Sequence, residues 1–254
     1  MSSYGQFALV YDRLMADMPY PEWLRFAELC WERYGKPETV VDLGCGTGSL
    51  SIPLALKGYH VYGIDLSSDM LTVARSKWEE SPQNAMRPGT GSVQWLHQDM
   101  CEWELLEPAD SVISFCDCVN YLIEEEEVEA AFRATFNGLR PGGLFLFDVH
   151  PPSTLVRYAE EQPFYLDEQD VAYIWTSDLD EERCEIEHNL TIFSREKDGR
   201  FIRFEETHVQ RAYDADWIEQ ALRRAGFTQV DRYADFQLRQ PAEQSERLFF
   251  AAVK

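Results

Sequence analysis

The sequence predicts an α/β fold, with a mostly parallel sheet, helices on both of its faces and an antiparallel β insertion. Between residues 39 and 150, short apolar runs alternate with amphipathic stretches, which favours parallel strands joined by helical crossovers. Two of these runs, 111–115 and 144–147, are mostly apolar and carry no charged residue, as is typical of strands covered on both faces. Between 165 and 211, strand-like runs are separated by polar turns, which indicates antiparallel pairing.

The elements of the parallel part follow from these patterns in chain order. Its strands are expected at 39–43, 59–64, 93–97, 109–115 and 144–149, and its helices at 49–57, 67–79 and 128–139. Gly58 is a typical C-terminal cap for the first helix, and Ser67 or Ser68 caps the second. The other strands are expected at 171–177, 184–194, 201–210, near 229–233 and near 247–253, with a helix at 214–225.

Composition restricts the class of protein. Hydrophobic residues make up 45% of the chain, which is enough for a large buried core. Lys and Arg number 23 against 45 Asp and Glu, and the net charge of −22 disfavours binding to nucleic acid or to an anionic membrane. The chain lacks a bilayer-length apolar run, and its start does not resemble a signal peptide. We therefore expect a cytoplasmic protein.

Metal and redox chemistry have little support in the sequence. The six cysteines contain no CxxC pair, so we expect small, reduced residues rather than a zinc ribbon or a dithiol. His188 and His208 both lie in the β insertion, but they lack the spacing of a strong metal site. We therefore predict no metal site.

A glycine-rich turn follows the first strand. The segment Asp42-Leu43-Gly44-Cys45-Gly46-Thr47-Gly48 would let the backbone approach a ligand closely. In open parallel sheets, ligands bind beyond the carboxyl ends of the strands. The GxGxG spacing differs from the GxGxxG of dinucleotide-binding proteins, and Asp42 would suit a pyrophosphate badly. The turn therefore favours a cationic ligand, or a water molecule held beside an amino-acid group.

Three other strand ends carry candidate binding residues. Asp65 lies about twenty residues after the turn, where an acid can accept both hydroxyls of a ribose, although it could instead cap a helix. Asp99 could accept from an exocyclic amine while Met100 packs on a purine, and a plain strand-end turn explains this pair equally well. Cys116 and Asp117 follow the fourth strand.

Together these motifs resemble the class I S-adenosylmethionine-dependent methyltransferase family, most closely over residues 38–150. The resemblance implies a Rossmann-like sheet of seven strands, of which the last is antiparallel. It also implies that the glycine turn holds the methionine part of the cofactor, that Asp65 binds the ribose and that Asp99-Met100 binds adenine. The residues predicted to bind S-adenosylmethionine are Tyr11, Asp42, Gly44, Cys45, Gly46, Gly48, Asp65, Leu66, Asp99, Met100, Cys116 and Asp117.

Residues 4–15 resemble a subgroup of small-molecule methyltransferases in which an N-terminal helix closes over the cofactor. Tyr4, Phe7 and Tyr11 are spaced to form one aromatic helical face. Ordinary packing explains this face equally well. As a lid, it would place Tyr11 on the cofactor and aromatic rings near the sulfonium, a contact worth roughly 0.5–2 kcal/mol.

The activity implied by the resemblance is direct, in-line methyl transfer to a nitrogen or oxygen of a small molecule. His150 follows the fifth strand and could remove a proton from the acceptor, or it could be structural. Two other functions stay open: a non-catalytic subunit that binds the cofactor and a partner protein, and, less favoured, a nicotinamide-dependent oxidoreductase. The protein could be a monomer or a homodimer.

We expect the chain to divide into four parts. These are N-terminal lid helices at 1–36, a cofactor-binding core at 37–152, the β insertion at 153–212, and a C-terminal helix with two strands at 213–254 that completes the core. The insertion would cover the substrate or form a dimer surface.

Overall fold

The computed structural model describes residues 3–81, 89–242 and 244–254. In chain order, the helices of these residues are α1 (Ser3–Leu14), α2 (Tyr20–Tyr34), α3 (Ser51–Leu56), α4 (Ser68–Glu80), α5 (Glu125–Gly138), α6 (Pro152–Glu161) and α7 (Ala215–Ala225), with a 3₁₀ helix at Cys118–Tyr121. The strands are β1 (Thr39–Leu43), β2 (His60–Asp65), β3 (Ser92–His97), β4 (Ala109–Ser114), β5 (Leu139–Val149), β6 (Phe164–Asp167), β7 (Val171–Asp180), β8 (Glu185–Arg195), β9 (Phe201–Arg211), β10 (Gln229–Ala234) and β11 (Leu248–Val253). None of the described helices has both the length and the apolar character that a membrane crossing requires.

The larger sheet has seven strands in the order β10-β11-β5-β4-β1-β2-β3. β11 runs antiparallel to both of its neighbours, and the other pairs are parallel. The seven-stranded, mostly parallel sheet with one antiparallel strand is therefore confirmed. The strand order reverses between β1 and β4, and this is where a crevice opens at the carboxyl edge of such a sheet.

Apolar layers cover both faces of this sheet. Alternate residues of β5 point to opposite sides, so Phe145 and Phe147 pack with Phe132 of α5 on one face. On the other face, Phe249 of β11 packs on Phe26 of α2, with ring centroids 4.3 Å apart. Both faces of the sheet are therefore buried. This agrees with the continuous apolar runs from which the parallel strands were predicted.

A second sheet holds four antiparallel strands in the order β6-β7-β8-β9. Its inner face packs on α1 through Phe7, Ile192 and Phe204, and on α6 through Leu155 and Ile186. The inner and outer residues alternate in burial along β9, as the pleat of a half-covered strand requires. We call the inner face of this sheet the insertion wall.

Several boundaries differ from the sequence prediction. The patterns missed α6, which begins at Pro152, where the fixed φ of proline suits a first helical turn. They also missed the four-residue strand β6, which is too short to show periodicity. β5 begins at Leu139 instead of residue 144, because Lys254 exchanges backbone hydrogen bonds with Gly142 and Gly143 and extends the ladder.

Candidate active site

The glycine turn lies directly against the end of β2. The backbone N–H groups of Gly44 and Cys45 donate to the carbonyl of Ile64 at 2.8 and 3.0 Å. Gly44 has φ +79°, and a Cβ there would lie 2.7 Å from Sγ of Cys118. A Cβ on Gly46 would meet nothing within 4 Å, so the space beside this residue can receive a ligand. Gly48 packs on the ring of Trp95, which leaves no room for a Cβ.

Asp65 joins the glycine turn to the start of α4. Its two carboxylate oxygens accept from the N–H of Gly46 at 2.7 Å and from the N–H of Ser67 at 2.8 Å. Burial raises the pKa of this carboxyl. The hydroxyl of Ser67 is the cap of α4, because it accepts from the N–H of Met70. Each oxygen of Asp65 retains a lone pair for a ligand hydroxyl.

Asp42 is only 2% exposed at the end of β1. Its Oδ2 accepts from the hydroxyl of Ser51 at 2.5 Å. Burial raises the pKa of Asp42 to about 7. A positive group bound nearby would favour the ionised form of this side chain.

The end of β3 is a hydrogen-bonded turn. Oδ1 of Asp99 accepts from the N–H of Cys101 at 2.8 Å, as in the strand-end alternative of the sequence analysis. Cε of Met100 would lie 3.6 Å from a Cβ on Gly44, so this side chain does border the glycine turn. The side chain of Leu66 is 68% exposed, and its carbonyl contacts Nε2 of His97 at 2.8 Å.

The residues after β4 adopt an unusual backbone. Cys116 and Asp117 have φ of +61° and +52°, which is costly for side chains larger than glycine. Asp117 is held by tertiary bonds: Oδ1 accepts from Arg247 at 2.9 Å and Oδ2 accepts from Gln210 at 2.8 Å. Burial alone would raise the pKa of Asp117, but His150 and Arg247 hold it well below its usual range.

His150 lies at the end of β5 and is 6% exposed. Its Nε2 is 3.3 Å from Oδ1 of Asp117 and 3.2 Å from a guanidinium nitrogen of Arg247. The backbone N–H of His150 donates to Oδ1 of Asn120 at 2.9 Å and fixes the residue's position. Its Nδ1 is buried and has no hydrogen-bond partner among the described residues.

A buried ion cluster lies behind His150. Arg247 contacts both Asp148 and Asp117, and its guanidinium lies over the ring of Trp23, 5.1 Å from the centroid. The indole N–H of Trp23 donates to Oδ1 of Asp148 at 3.1 Å. Sequence reasoning missed Arg247, which is 99 residues from Asp148. The sequence did contain one sign that such a partner exists. Asp148 is a charged residue inside an apolar strand, and a residue of this kind needs a buried partner.

The insertion wall is hydrogen-bonded to the core. The indole N–H of Trp175 donates to Nδ1 of His188 at 3.0 Å, and burial lowers the pKa of His188 to about 4, so this ring is neutral. From β9, Gln210 donates to Oδ2 of Asp117 at 2.8 Å. His188 faces His208 on the neighbouring strand, but the described residues contain no group of three metal-binding side chains.

Helix α1 lies between the glycine turn and the insertion wall. Asp12 accepts from the hydroxyl of Thr47 at 2.5 Å and from Nζ of Lys77 at 2.7 Å. The ring of Phe7 lies 5.5 Å from that of Tyr11 and 5.3 Å from that of His208. The side chain of Tyr4, the third member of the predicted aromatic face, lies outside the described part of the structure.

Comparisons with known proteins agree with this arrangement. The methyltransferase-domain family model matches residues 40–143. A Geobacillus protein that is named as a methyltransferase, without an acceptor, is 37% identical over 99% of this chain and 100% of its own length. The chain belongs to the class I S-adenosylmethionine-dependent methyltransferases. The methyltransferase YqeM of Bacillus subtilis, whose name also gives no acceptor, is 36% identical over 99% of this chain and 97% of its own.

Solved structures place the whole chain in the same fold. An S-adenosylmethionine-dependent methyltransferase from Clostridium acetobutylicum has a TM-score of 0.85 and 26% identity, and the match covers 98% of each chain. The sugar N-methyltransferase KedS8 of Streptoalloteichus has a TM-score of 0.70 and 20% identity over 92% of this chain and 85% of its own, which shows a shared fold. The cofactor of this methyltransferase is therefore S-adenosylmethionine, and the nicotinamide alternative loses its support.

Substitution of Gly44 by Ala tests the fit of the cofactor to the turn. We expect Gly44→Ala to lose about 1–3 kcal/mol of unfolding free energy from its positive φ, and to lose affinity for S-adenosylhomocysteine because Cys118 must move into the site. Gly142→Ala is the matched control, since Gly142 has φ +77° with nothing within 4 Å of a Cβ. Urea unfolding and calorimetric titration would separate the two effects. Equal cofactor affinity in both variants would contradict the prediction.

Proposed function

We propose that this methyltransferase transfers a methyl group in-line to a nitrogen or oxygen of a small molecule bound between the strand ends and the insertion wall. The observation that carries the proposal is the buried, unpartnered Nδ1 of His150, which can take up a proton. The net charge of −22 adds support, because it disfavours polyanionic acceptors such as nucleic acid. KedS8, which shares the fold, is named as a sugar N-methyltransferase.

The residues of the carboxyl edge fit the cofactor. The open space beside Gly46 would receive the amino-acid part, and the free lone pairs of Asp65 would accept the ribose hydroxyls. Asp99, Met100 and Leu66 would border the adenine, while Cys116 and Asp117 would border the reacting centre. When bound, S-adenosylmethionine supplies a methyl group on a positively charged sulfur that leaves readily, so the protein mainly has to position the acceptor.

His150 would accept the proton that the acceptor loses. The proposal requires the tautomer in which Nε2 donates to Asp117 and does not accept from Arg247, which leaves Nδ1 as the proton acceptor. The negative charge of Asp117 would then stabilise the positive imidazolium. Arg247 would keep Asp117 ionised and fixed in position. General-base catalysis of this kind contributes typically about 10²–10⁴-fold to a rate.

The surrounding elements would exclude water from the acceptor. In this proposal, α1 is a lid that Asp12 fastens to the glycine turn, and the aromatic pair Phe7 and Tyr11 faces the site. The insertion at 153–212 is the substrate cover, which Gln210 connects to the core. Loss of bulk water strengthens the electrostatic interactions inside such a site.

Titration with S-adenosylhomocysteine tests the cofactor site. Wild type should bind it, and Asp65→Ala should bind it about tenfold more weakly or worse, because two ribose hydroxyls lose a charged acceptor. Glu79→Ala is the matched control, since it removes one exposed carboxylate from α4. Unchanged affinity in Asp65→Ala would refute the assigned role of Asp65. Cofactor binding without methyl transfer to any of a broad panel of amines and alcohols would instead indicate the non-catalytic subunit.

A further inference from the structure

One buried carboxylate is used by none of the interactions described above. Glu206 of β9 is 4% exposed, and its Oε1 has no hydrogen-bond partner among the described residues. Burial raises the pKa of Glu206, and no charged neighbour contributes to the shift. An unpaired carboxylate in such a place costs free energy, and proteins normally pair or expose these groups. Glu206 therefore requires an explanation beyond the stability of the fold.

Glu206 lies in the insertion wall, within the region proposed for the acceptor. The alternation of β9 puts it on the same face as Phe204 and His208. Phe204 packs in the cluster that includes Phe7 of α1, and His208 lies 5.3 Å from the ring of Phe7. The ring of His208 also lies 6.0 Å from that of Tyr121, in the 3₁₀ helix that follows β4. Glu206 thus belongs to a wall that faces both the lid helix and the core.

The groups around this wall leave the negative charge uncompensated. Burial lowers the pKa values of both His188 and His208, so neither ring supplies a positive charge at neutral pH. Arg247 is already paired with two carboxylates, and Lys77 is bound to Asp12. A carboxylate beside aromatic rings complements an ammonium group, which gains both a charge-assisted hydrogen bond and cation–π contacts.

We propose that Glu206 recognises the protonated amino group of the methyl acceptor, so that the substrates of this methyltransferase are small amines. The bound ammonium gives up one proton to His150 before the nitrogen lone pair attacks the methyl group, because only the neutral amine is a nucleophile. This inference rests on the proposed function, because it takes the acceptor to bind between the insertion wall and the strand ends. Glu206 is a specificity-determining residue in this scheme. An alcohol of the same size could donate a hydrogen bond to Glu206, but it would leave the negative charge uncompensated and would bind less tightly.

The test compares Glu206→Gln with Glu205→Gln. Glu205 is the adjacent residue on the exposed face of β9, where it pairs with Arg203 at 2.6 Å. Benzylamine and benzyl alcohol are titrated at neutral pH into wild type and both variants, with and without S-adenosylhomocysteine. We expect wild type and Glu205→Gln to prefer the amine, and Glu206→Gln to bind it about tenfold more weakly or worse.

Thermal unfolding of the ligand-free proteins gives a second readout. Glu206→Gln should unfold at a higher temperature than wild type, because it removes an uncompensated buried charge, whereas Glu205→Gln should not. Equal binding of amine and alcohol to wild type, retained amine binding in Glu206→Gln, or a lower unfolding temperature of that variant would each overturn the inference. Absence of S-adenosylhomocysteine binding to wild type would refute the proposed function separately, since the amine titration is also made without it.

Discussion

His150→Ala should lower kcat by about 10²–10⁴-fold while the affinity for S-adenosylhomocysteine stays unchanged. The reason is that His150 is the proposed proton acceptor at the end of β5, whereas the proposed cofactor site lies at the ends of β1, β2 and β3. Replacement by Ala also leaves a space in which free imidazole can act. The measurement is steady-state formation of S-adenosylhomocysteine with an acceptor that wild type methylates, with and without added imidazole.

Two comparisons make this result specific. His60→Ala removes an exposed histidine at the opposite end of β2 and should leave kcat unchanged. Partial recovery of His150→Ala by imidazole would show that the missing function is proton transfer, since a structural defect would not respond. A kcat within about twofold of wild type would refute the catalytic role of His150, because general-base removal is expected to cost far more.

Arg247→Met should destabilise the fold by about 3–5 kcal/mol, because it leaves Asp148 buried beside an apolar side chain. Asp148 is fully buried, so water cannot replace the guanidinium. The measurement is the free energy of unfolding in urea. The double variant Arg247→Met with Asp148→Asn should recover part of the loss, since the uncompensated charge is gone.

Arg239→Met is the matched control for Arg247→Met. Arg239 pairs with Asp235 at 2.8 Å, but its side chain is 57% exposed. Exposed pairs of this kind contribute about 0–1 kcal/mol. If Arg247→Met cost no more than Arg239→Met, the buried cluster would have no structural importance.

The parts of the site that the sequence predicted share one property, namely that their signals are local. The glycine turn can be recognised from seven consecutive residues, and Asp65 follows it at a short, regular distance along the chain. The apolar runs identify strands, and the carboxyl ends of parallel strands necessarily meet at one edge. The sequence left two roles open for Asp99, adenine binding and a strand-end turn. Its carboxylate does close a local turn. Whether these residues bind the cofactor stays a prediction.

The parts that the sequence did not predict depend on contacts between distant segments. Arg247 and Gln210 reach Asp117 from 130 and 93 residues away, and no local pattern marks either residue as its partner. The isolated charge of Glu206 is equally invisible, because Glu205 and Glu206 look alike until the pleat assigns them to opposite faces. Glu206 is distinguished from the surface residue Glu205 by its burial and not by its residue type.

The antiparallel strand β11 has a consequence for how the protein emerges from the ribosome. Asp148 is synthesised 99 residues before Arg247, so its carboxylate has no positive partner while the intervening chain is made. The four-stranded sheet pairs neighbouring segments and can form during that interval, since local pairings close short loops. The edge of β5 stays open until β11 pairs with it, and open strand edges invite aggregation. Pairing of β11 with β5 is thus the step that both covers this open edge and gives Asp148 its positive partner.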